Sequence, residues 1–368
     1  MVTRSKPSRV RSVPYAKLVP PTLPIVLQRT RLFRLLDKSN ARRLIWITAP
    51  AGAGKTTLVA SYLKSKRVPV LWYRLDESDA DPSSFFHFLS LAAKSLAPRF
   101  KRPLPTLTPE YVLGLQTFAR RYFQELGARL PRRCRIVLDN YHEVPADAAL
   151  HQLLACGVYE LPDGVSVVVM SRQGPCAPMA RLMAEQLMDT IGPDPLRFSR
   201  LETVGVARLH LTSRKERVAR SRIDELHKKA GGWAAGVTLL LDHIKHQETI
   251  ESASAQESPE SIFQFLATHA FEGLVREVQE VLLKTSILPD VSVTLAVGLT
   301  NSPKAGEVLR SLYLARHFIE RRDEPEPWYR YHPLFRAFLL EQLDAPEHDL
   351  ALVELHVRDA VHQQAPGT

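Results

Sequence analysis

Ala49-Pro50-Ala51-Gly52-Ala53-Gly54-Lys55-Thr56-Thr57 stands between two runs of opposite character. Before it, Leu44-Ile45-Trp46-Ile47-Thr48 is short, apolar and β-rich, and reads as a buried strand. After it, Lys55 to Lys66 places Leu58, Val59, Tyr62 and Leu63 on one face at helical spacing. A strand, a glycine-containing turn and a helix, in that order, are the context of a phosphate-binding loop. Glycine lets backbone N–H groups converge on an anion, and the helix start adds unpaired donors and a positive dipole end. In such a loop Lys55 reaches the β- and γ-phosphates and the Thr56 hydroxyl holds Mg²⁺, while Pro50, Ala51, Gly52, Ala53, Gly54 and Thr57 complete the cradle. The pattern G-x-x-x-x-G-K-[ST] departs in one place, where Ala49 stands for glycine. Alanine serves there if the backbone keeps an ordinary conformation. The bland alternative is a glycine-rich helix start with a surface lysine. It leaves the agreement of strand, loop, lysine, threonine and helix unexplained.

The 368 residues leave room for two or three domains, and 45% hydrophobic residues suffice for globular cores. The formal net charge is +10. Much of the excess lies early: no acid precedes Asp37, while Arg4, Lys6, Arg9, Arg11, Lys17, Arg29, Arg31 and Arg34 do. A solvated basic leader is commoner than a nucleic-acid surface, so charge alone decides little. The first twenty residues lack the apolar stretch of a secretory signal. The longest apolar run, near Trp233 to Leu241, is too short to cross a bilayer. Cys134, Cys156 and Cys176 show neither metal spacing nor an even count for pairing, so a reduced, cytoplasmic protein is expected, with no membrane partner.

Residues 1–24 are basic and proline-rich and are expected to be a mobile leader. A helix is expected around Ile25 to Leu36. Beyond the loop unit, Val70-Leu71-Trp72-Tyr73-Arg74-Leu75 reads as a second strand, ending at Asp76. Pro82 then suits the first turn of a helix carrying Phe85, Phe86, Phe88, Leu89 and Leu96 inward. A proline-rich loop and a helix from about Pro109 to Leu130 follow, then a third strand, Arg135-Ile136-Val137-Leu138-Asp139, and a fourth, Val165 to Met170, ending at Ser171-Arg172. Alternating strands and helices of this kind build a mostly parallel sheet covered on both faces, with ligands at the carboxyl ends of the strands. Asp76, Asp139 and Arg172 stand at such ends, as does the loop, and are expected to gather around one nucleotide.

Asp139, after four residues of buried strand, reads as the Walker B acid that holds Mg²⁺ with Thr56; a turn or capping aspartate is the alternative. Many hydrolytic proteins of this architecture carry a second acid next, to orient water, and here Asn140 follows. An amide is no general base at neutral pH. Binding without appreciable turnover is the expectation, so that any enzyme activity is at most a slow Mg²⁺-dependent ATPase.

Past about Leu196 the alternation stops. Helices are expected over Val206 to Leu211, Arg217 to Lys229, Ala234 to His246 and Ile262 to Leu283, with a polar surface loop from Gln247 to Glu260. Small helices then lead to a hairpin of Phe318-Ile319-Glu320-Arg321 and Trp328-Tyr329-Arg330-Tyr331, joined through Arg322 to Pro327: the outline of a winged helix. The expected organisation is an α/β P-loop NTPase fold with Walker B on the third strand over 25–195, a helical domain over 196–270, a winged helix over 271–345 and a C-terminal helix or tail over 346–368.

With these residues assembled, the chain resembles the MalT-like branch of the STAND ATPases, the ATP-dependent regulators of the LuxR type. The likeness runs from Val26-Leu27-Gln28-Arg29-Thr30-Arg31-Leu32 through Trp72-Tyr73-Arg74-Leu75-Asp76-Glu77, Leu138-Asp139-Asn140-Tyr141-His142 and Ser171-Arg172. It continues in Leu196-Arg197-Phe198, Gly231-Gly232-Trp233-Ala234-Ala235-Gly236 and Thr285-Ser286-Ile287-Leu288, and closes with Tyr331-His332-Pro333-Leu334-Phe335. The resemblance implies an ATP/ADP switch in which nucleotide sits between the sheet and the winged helix. It implies Arg29 near the base or ribose, Arg172 as the arginine near the γ-phosphate, and His332 touching the β-phosphate from the winged helix. For Arg172 the alternative is a surface ion pair, for His332 a histidine packed in its turn, and Trp233 reads as a packing anchor.

The resemblance also implies a protein partner, or self-association on ATP binding. Family members usually continue into a helical-repeat sensor and a DNA-binding helix-turn-helix, for which the sequence to Thr368 leaves no room, so direct DNA binding is not expected. Two other functions compete with the switch: a turning-over ATPase, and a DNA-binding regulator using the basic leader or the winged helix.

Overall fold

A computed structural model describes residues 15–99, 102–108, 111, 114–210, 220–246, 267–268, 271, 274–314, 319–322 and 327–343. The apolar runs become strands buried on both faces. In chain order α1 (Thr30–Lys38), β1 (Leu44–Thr48), α2 (Lys55–Lys66), β2 (Val70–Arg74), α3 (Pro82–Leu96) and α4 (Leu115–Arg129) come first. They are followed by β3 (Arg135–Asp139), α5 (Leu150–Val158), β4 (Ser166–Ser171), α6 (Ala180–Ala184) and β5 (Met188–Ile191). The strands pair in the order β2-β3-β4-β1-β5, every pair parallel. Period-two alternation divides their side chains between two cores. Leu44, Trp46, Tyr73, Leu138 and Val169 pack with the aromatic cluster of α3 and α4 (Phe85, Phe86, Phe118, Tyr122 and Phe123). Ile45, Ile47, Trp72, Val137 and Val168 pack with Leu32, Phe33, Leu36, Leu58 and Leu63 of α1 and α2.

A second body is assembled from α7 (Pro193–Leu196), α8 (Arg200–His210), α9 (Arg220–Ala230) and α10 (Ala234–His246), and then α11 (Arg276–Ser286). After it come β6 (Val291–Ser292), α12 (Val293–Thr300), α13 (Ala305–Leu314), β7 (Ile319–Arg322), β8 (Trp328–Tyr331) and α14 (Pro333–Leu343). One core runs through it, from Val206 and Leu226 to Phe335, Phe338 and Leu339. The hairpin β7–β8 gains a third antiparallel strand, β6, beside β8, giving the order β6-β8-β7 of a small winged sheet.

Five sequence expectations need correction. The sheet has five strands: β5 was not anticipated, because four residues at the sheet edge with Asp189 and Thr190 in the middle carry almost no apolar signal. The helix expected from Pro109 begins at Leu115 after Gly114, and ends before Pro131, which disfavours helical backbone in the preceding residue. The helix expected from Ile25 begins at Thr30, with Arg29 outside it in a non-helical conformation. The single helix expected over Ile262 to Leu283 is interrupted, since Val275 is extended (φ −66°, ψ 147°) and caps α11. Finally, the described part of the leader is anchored. Lys17 bonds Asp76 and Asp79 at 3.0 Å each and sits 3.9 Å above the Phe88 ring, while Thr22 pairs with Arg321 of β7. Residues 1–14, the polar loop 247–260 and the tail 346–368 lie outside the described residues.

Packing is tight where α5 crosses α4: a Cβ built on Gly157 would stand 2.2 Å from the Phe123 ring. Helix propensity alone favours Ala over Gly by about 1 kcal/mol, whereas overpacking a core costs about 1–3 kcal/mol. Phe123 is hemmed in by Phe86 and Tyr122, so the second effect wins. Gly157→Ala is expected to lower stability by about 1–2 kcal/mol in urea unfolding; a rise would show that the α4–α5 contact is looser than described.

Candidate functional site

The loop between β1 and α2 takes the shape its glycines permit. Gly52 (φ +72°) and Gly54 (φ +81°) are left-handed, and Gly54 caps α2. Ala49, where the motif wants glycine, is buried and is not among the residues with positive φ, so the alanine is accommodated. Gly52 is also constrained from outside: a Cβ there would lie 2.7 Å from both Trp233 and Ala235. Trp233 Nε1 donates to Ala51 O at 3.1 Å and the Ala235 amide to Gly52 O at 3.0 Å, so the turn before α10 buttresses the loop. That is the anchoring role expected of Trp233.

Parallel topology brings the carboxyl ends of β1, β2, β3 and β4 to one edge, and a cavity of about 330 Å³ opens there, within the roughly 300–1,000 Å³ typical of small-molecule sites. Ala51, Gly52, Gly54, Lys55, Thr56 and Thr57 line it, as do Arg29 and Arg172. From the winged sheet and the turn after it come Ile319, Glu320, Arg330, Tyr331 and His332. Leu23, Val26, Leu27, Phe198, Val206 and Leu209 give it an apolar wall. Pro50 and Ala53 belong to the loop without lining the cavity, and Asp139 is buried against Thr56.

The Thr56 hydroxyl donates to Asp139 at 3.2 Å, and Asp139 also accepts the Asn140 amide at 3.0 Å. A hydroxyl and a carboxylate are hard oxygen donors of the kind Mg²⁺ takes, with phosphate oxygens and water filling the remaining positions. Among the described residues no group of three or more His, Cys, Asp or Glu is placed to hold a metal, so an ion here fits a site shared with phosphates. Burial holds the Asp139 carboxyl above its ordinary range, against the pull of Arg74. Lys55 Nζ donates to Ala49 O at 2.6 Å and Pro50 O at 3.0 Å across the loop mouth. Burial brings its ammonium down to about 8, with Asp139 opposing and Arg172 reinforcing.

Arg172 lies exposed beyond β4 and makes no ion pair among the described residues. Burial lowers the His332 imidazole to about 4, as it does that of His142, so both are neutral at pH 7. Arg29 lines the cavity, but its guanidinium is held by Glu202, Leu196 O and Arg197 O, and stacks on Phe198. Asp76 does not join the cluster: it caps the short 3-10 helix Glu77–Ala80 and pairs with Lys17.

Sequence reasoning missed a row of buried charges beside Asp139. Arg74, its register partner on β2, lies 3.8 Å from Asp139 and donates to Glu320 of β7 at 2.5 Å. Arg322 and the Arg330–Asp290 pair flank Glu320. Burial and the nearby Arg74 pull the Arg322 guanidinium down to about 9. The one local signal was an arginine ending a strand on the ligand edge; its partners are some 250 residues away in sequence.

Residues 267–351 match the family described as the MalT winged helix domain, and residues 22–172 that described as Nephrocystin 3, N-terminal. The HTH-type transcriptional regulator MalT of Vibrio cholerae is 30% identical over 325 residues, 86% of this chain and 35% of the relative. The regulator of the same name from Klebsiella pneumoniae is 28% identical over 348 residues, 92% of this chain and 37% of the relative. The chain thus spans little more than a third of the length of these curated relatives. Among solved structures, a signal transduction ATPase with numerous domains (STAND) from Pyrococcus horikoshii, with a tetratricopeptide repeat sensor, superposes with a TM-score of 0.66 at 16% identity, over 95% of this chain and 47% of that one. Among the described residues no helix is long and apolar enough to cross a membrane. The chain is MalT-like, and carries the P-loop and winged-helix parts of the STAND fold.

Proposed function

We propose that this chain is the nucleotide-dependent switch of a STAND-type regulator, binding ATP or ADP with Mg²⁺ and passing its nucleotide state to a protein partner or a second copy in transcription control. One observation carries the reading: the cavity is walled on one side by the P-loop and Arg172 and on the other by Glu320 and His332 of the winged helix. A ligand that touches two bodies biases their arrangement by its differential contacts with each. The switch comprises the P-loop domain (25–195), the helical domain (196–270) and the winged helix (271–345). Lys55 would carry the β- and γ-phosphates, Thr56 and Asp139 the metal, Arg172 the γ-phosphate and His332 the β-phosphate. Arg29 would brace the base or ribose side, next to the apolar wall. Mg²⁺, when bound, would screen the phosphate charge. Transcription control is carried over from the name of the MalT relatives.

Slow or absent hydrolysis follows from Asn140, which lines the cavity in the left-handed region (φ 59°) and offers no base.

Two measurements test this. Lys55→Ala is expected to weaken ADP and ATP binding about a hundredfold by calorimetry, or ~2.7 kcal/mol; unaltered affinity would remove the nucleotide site. Asn140→Asp keeps a residue type that tolerates left-handed backbone. It is expected to raise steady phosphate release about 10²-fold, the lower end of general-base catalysis. Rapid turnover by the unaltered protein would contradict the reading of Asn140.

A further inference from the structure

Arg74 ends β2 beside Asp139 and is only 3% exposed, yet it lines the same cavity as Lys55, Arg172 and Glu320. Its Nη2 donates to Glu320 at 2.5 Å, and that bond joins the parallel sheet to the winged sheet. Its Nε and Nη1 make no hydrogen bond, although Nε is 3.8 Å from an Asp139 oxygen. Buried donors left unmade are costly, and a guanidinium matches an oxyanion that offers two oxygens at once. Glu320 supplies one such acceptor and a phosphate would supply the same chemistry.

We propose that Arg74 is the residue at which the terminal phosphate of a nucleoside triphosphate competes with Glu320, so that a triphosphate, unlike a diphosphate, releases the winged sheet. This rests on the cavity being a nucleotide site, as argued above. A terminal phosphate that takes the guanidinium removes the only hydrogen bond between Glu320 and the parallel sheet among the described residues. The cations that remain around Glu320, Arg322 and Arg330, belong to its own hairpin. Arg330 pairs with Asp290 and Arg322 donates to the Ala16 carbonyl, so that once Arg74 is taken the hairpin is held to the rest of the chain on this side through the segment that carries Ala16 and Thr22. A ligand with equal affinity for two arrangements shifts neither, so the exchange at Arg74 is what would let the third phosphate act.

The test compares binding of fluorescent ADP and a fluorescent non-hydrolysable ATP analogue, both with Mg²⁺, to the full chain and its variants. Glu320→Gln removes the competitor's charge but keeps an acceptor for Arg74; it is expected to tighten the triphosphate about tenfold and leave ADP within about twofold, the worth of one charge-assisted hydrogen bond. Arg74→Gln is expected to weaken the triphosphate about tenfold with ADP again little changed. The double variant should match Arg74→Gln, because Glu320 acts only through the arginine. Small-angle scattering should show the wild type expanding with the triphosphate analogue and Arg74→Gln not.

Lys55→Ala separates the two ways of failing. If it binds both nucleotides like the wild type, the nucleotide site itself falls. If it loses both while the preference for triphosphate is the same in the wild type, Arg74→Gln and Glu320→Gln, the site stands and the competition is overturned. Should Arg74→Gln not fold, Glu320→Gln decides alone, and an unchanged preference overturns the proposal.

Discussion

A carboxylate that is 1% exposed has to be neutralised by its neighbours, and the architecture follows from how Asp139 is satisfied. Thr56 reaches it from the P-loop helix, the Asn140 amide from its own turn and Arg74 from the adjacent strand. Arg74 in turn needs a second anion, and that anion is Glu320 of the winged sheet. Removing one member of a buried pair typically costs ~3–5 kcal/mol, because the other is left uncompensated. The contact between the two sheets is therefore held by charges that only make sense together. Loop, sheet and winged helix meet at one carboxylate.

The P-loop is likewise held from two directions. Its glycines bend the chain at the edge of the cavity, and the same bend presents Ala51 O and Gly52 O to Trp233 and Ala235. The loop is thus shaped partly by α10, a helix of the second body.

What was legible in the sequence was what short windows encode. Leu44 to Ile47 and Ile136 to Leu138 are continuous apolar runs within their strands, and the glycines, lysine and threonine of the loop lie within nine residues of one another. The hairpin announced itself through Trp328 to Tyr331 and a break before it. By contrast, Met188 to Ile191 is a strand only because β1 offers it a free edge, and Val275 interrupts a helix that periodicity alone would have continued. Arg74 and Glu320 were invisible as a pair, since nothing local distinguishes a buried arginine from a solvated one when its partner lies on a different sheet. Asp76 misled for the same reason: standing at a strand end, it is taken up by Lys17 from a segment expected to be free.

That segment sets a length. Lys17 is fastened to the parallel-sheet body, and Thr22, five residues on, to β7. Five residues of fully extended chain span at most about 18 Å. The Ala16 carbonyl, beside Lys17, also accepts from Arg322 of β7, so the segment bridges the two bodies at its first fastening as well as across the span to Thr22. The segment is a short strap that stitches one border of the two bodies together.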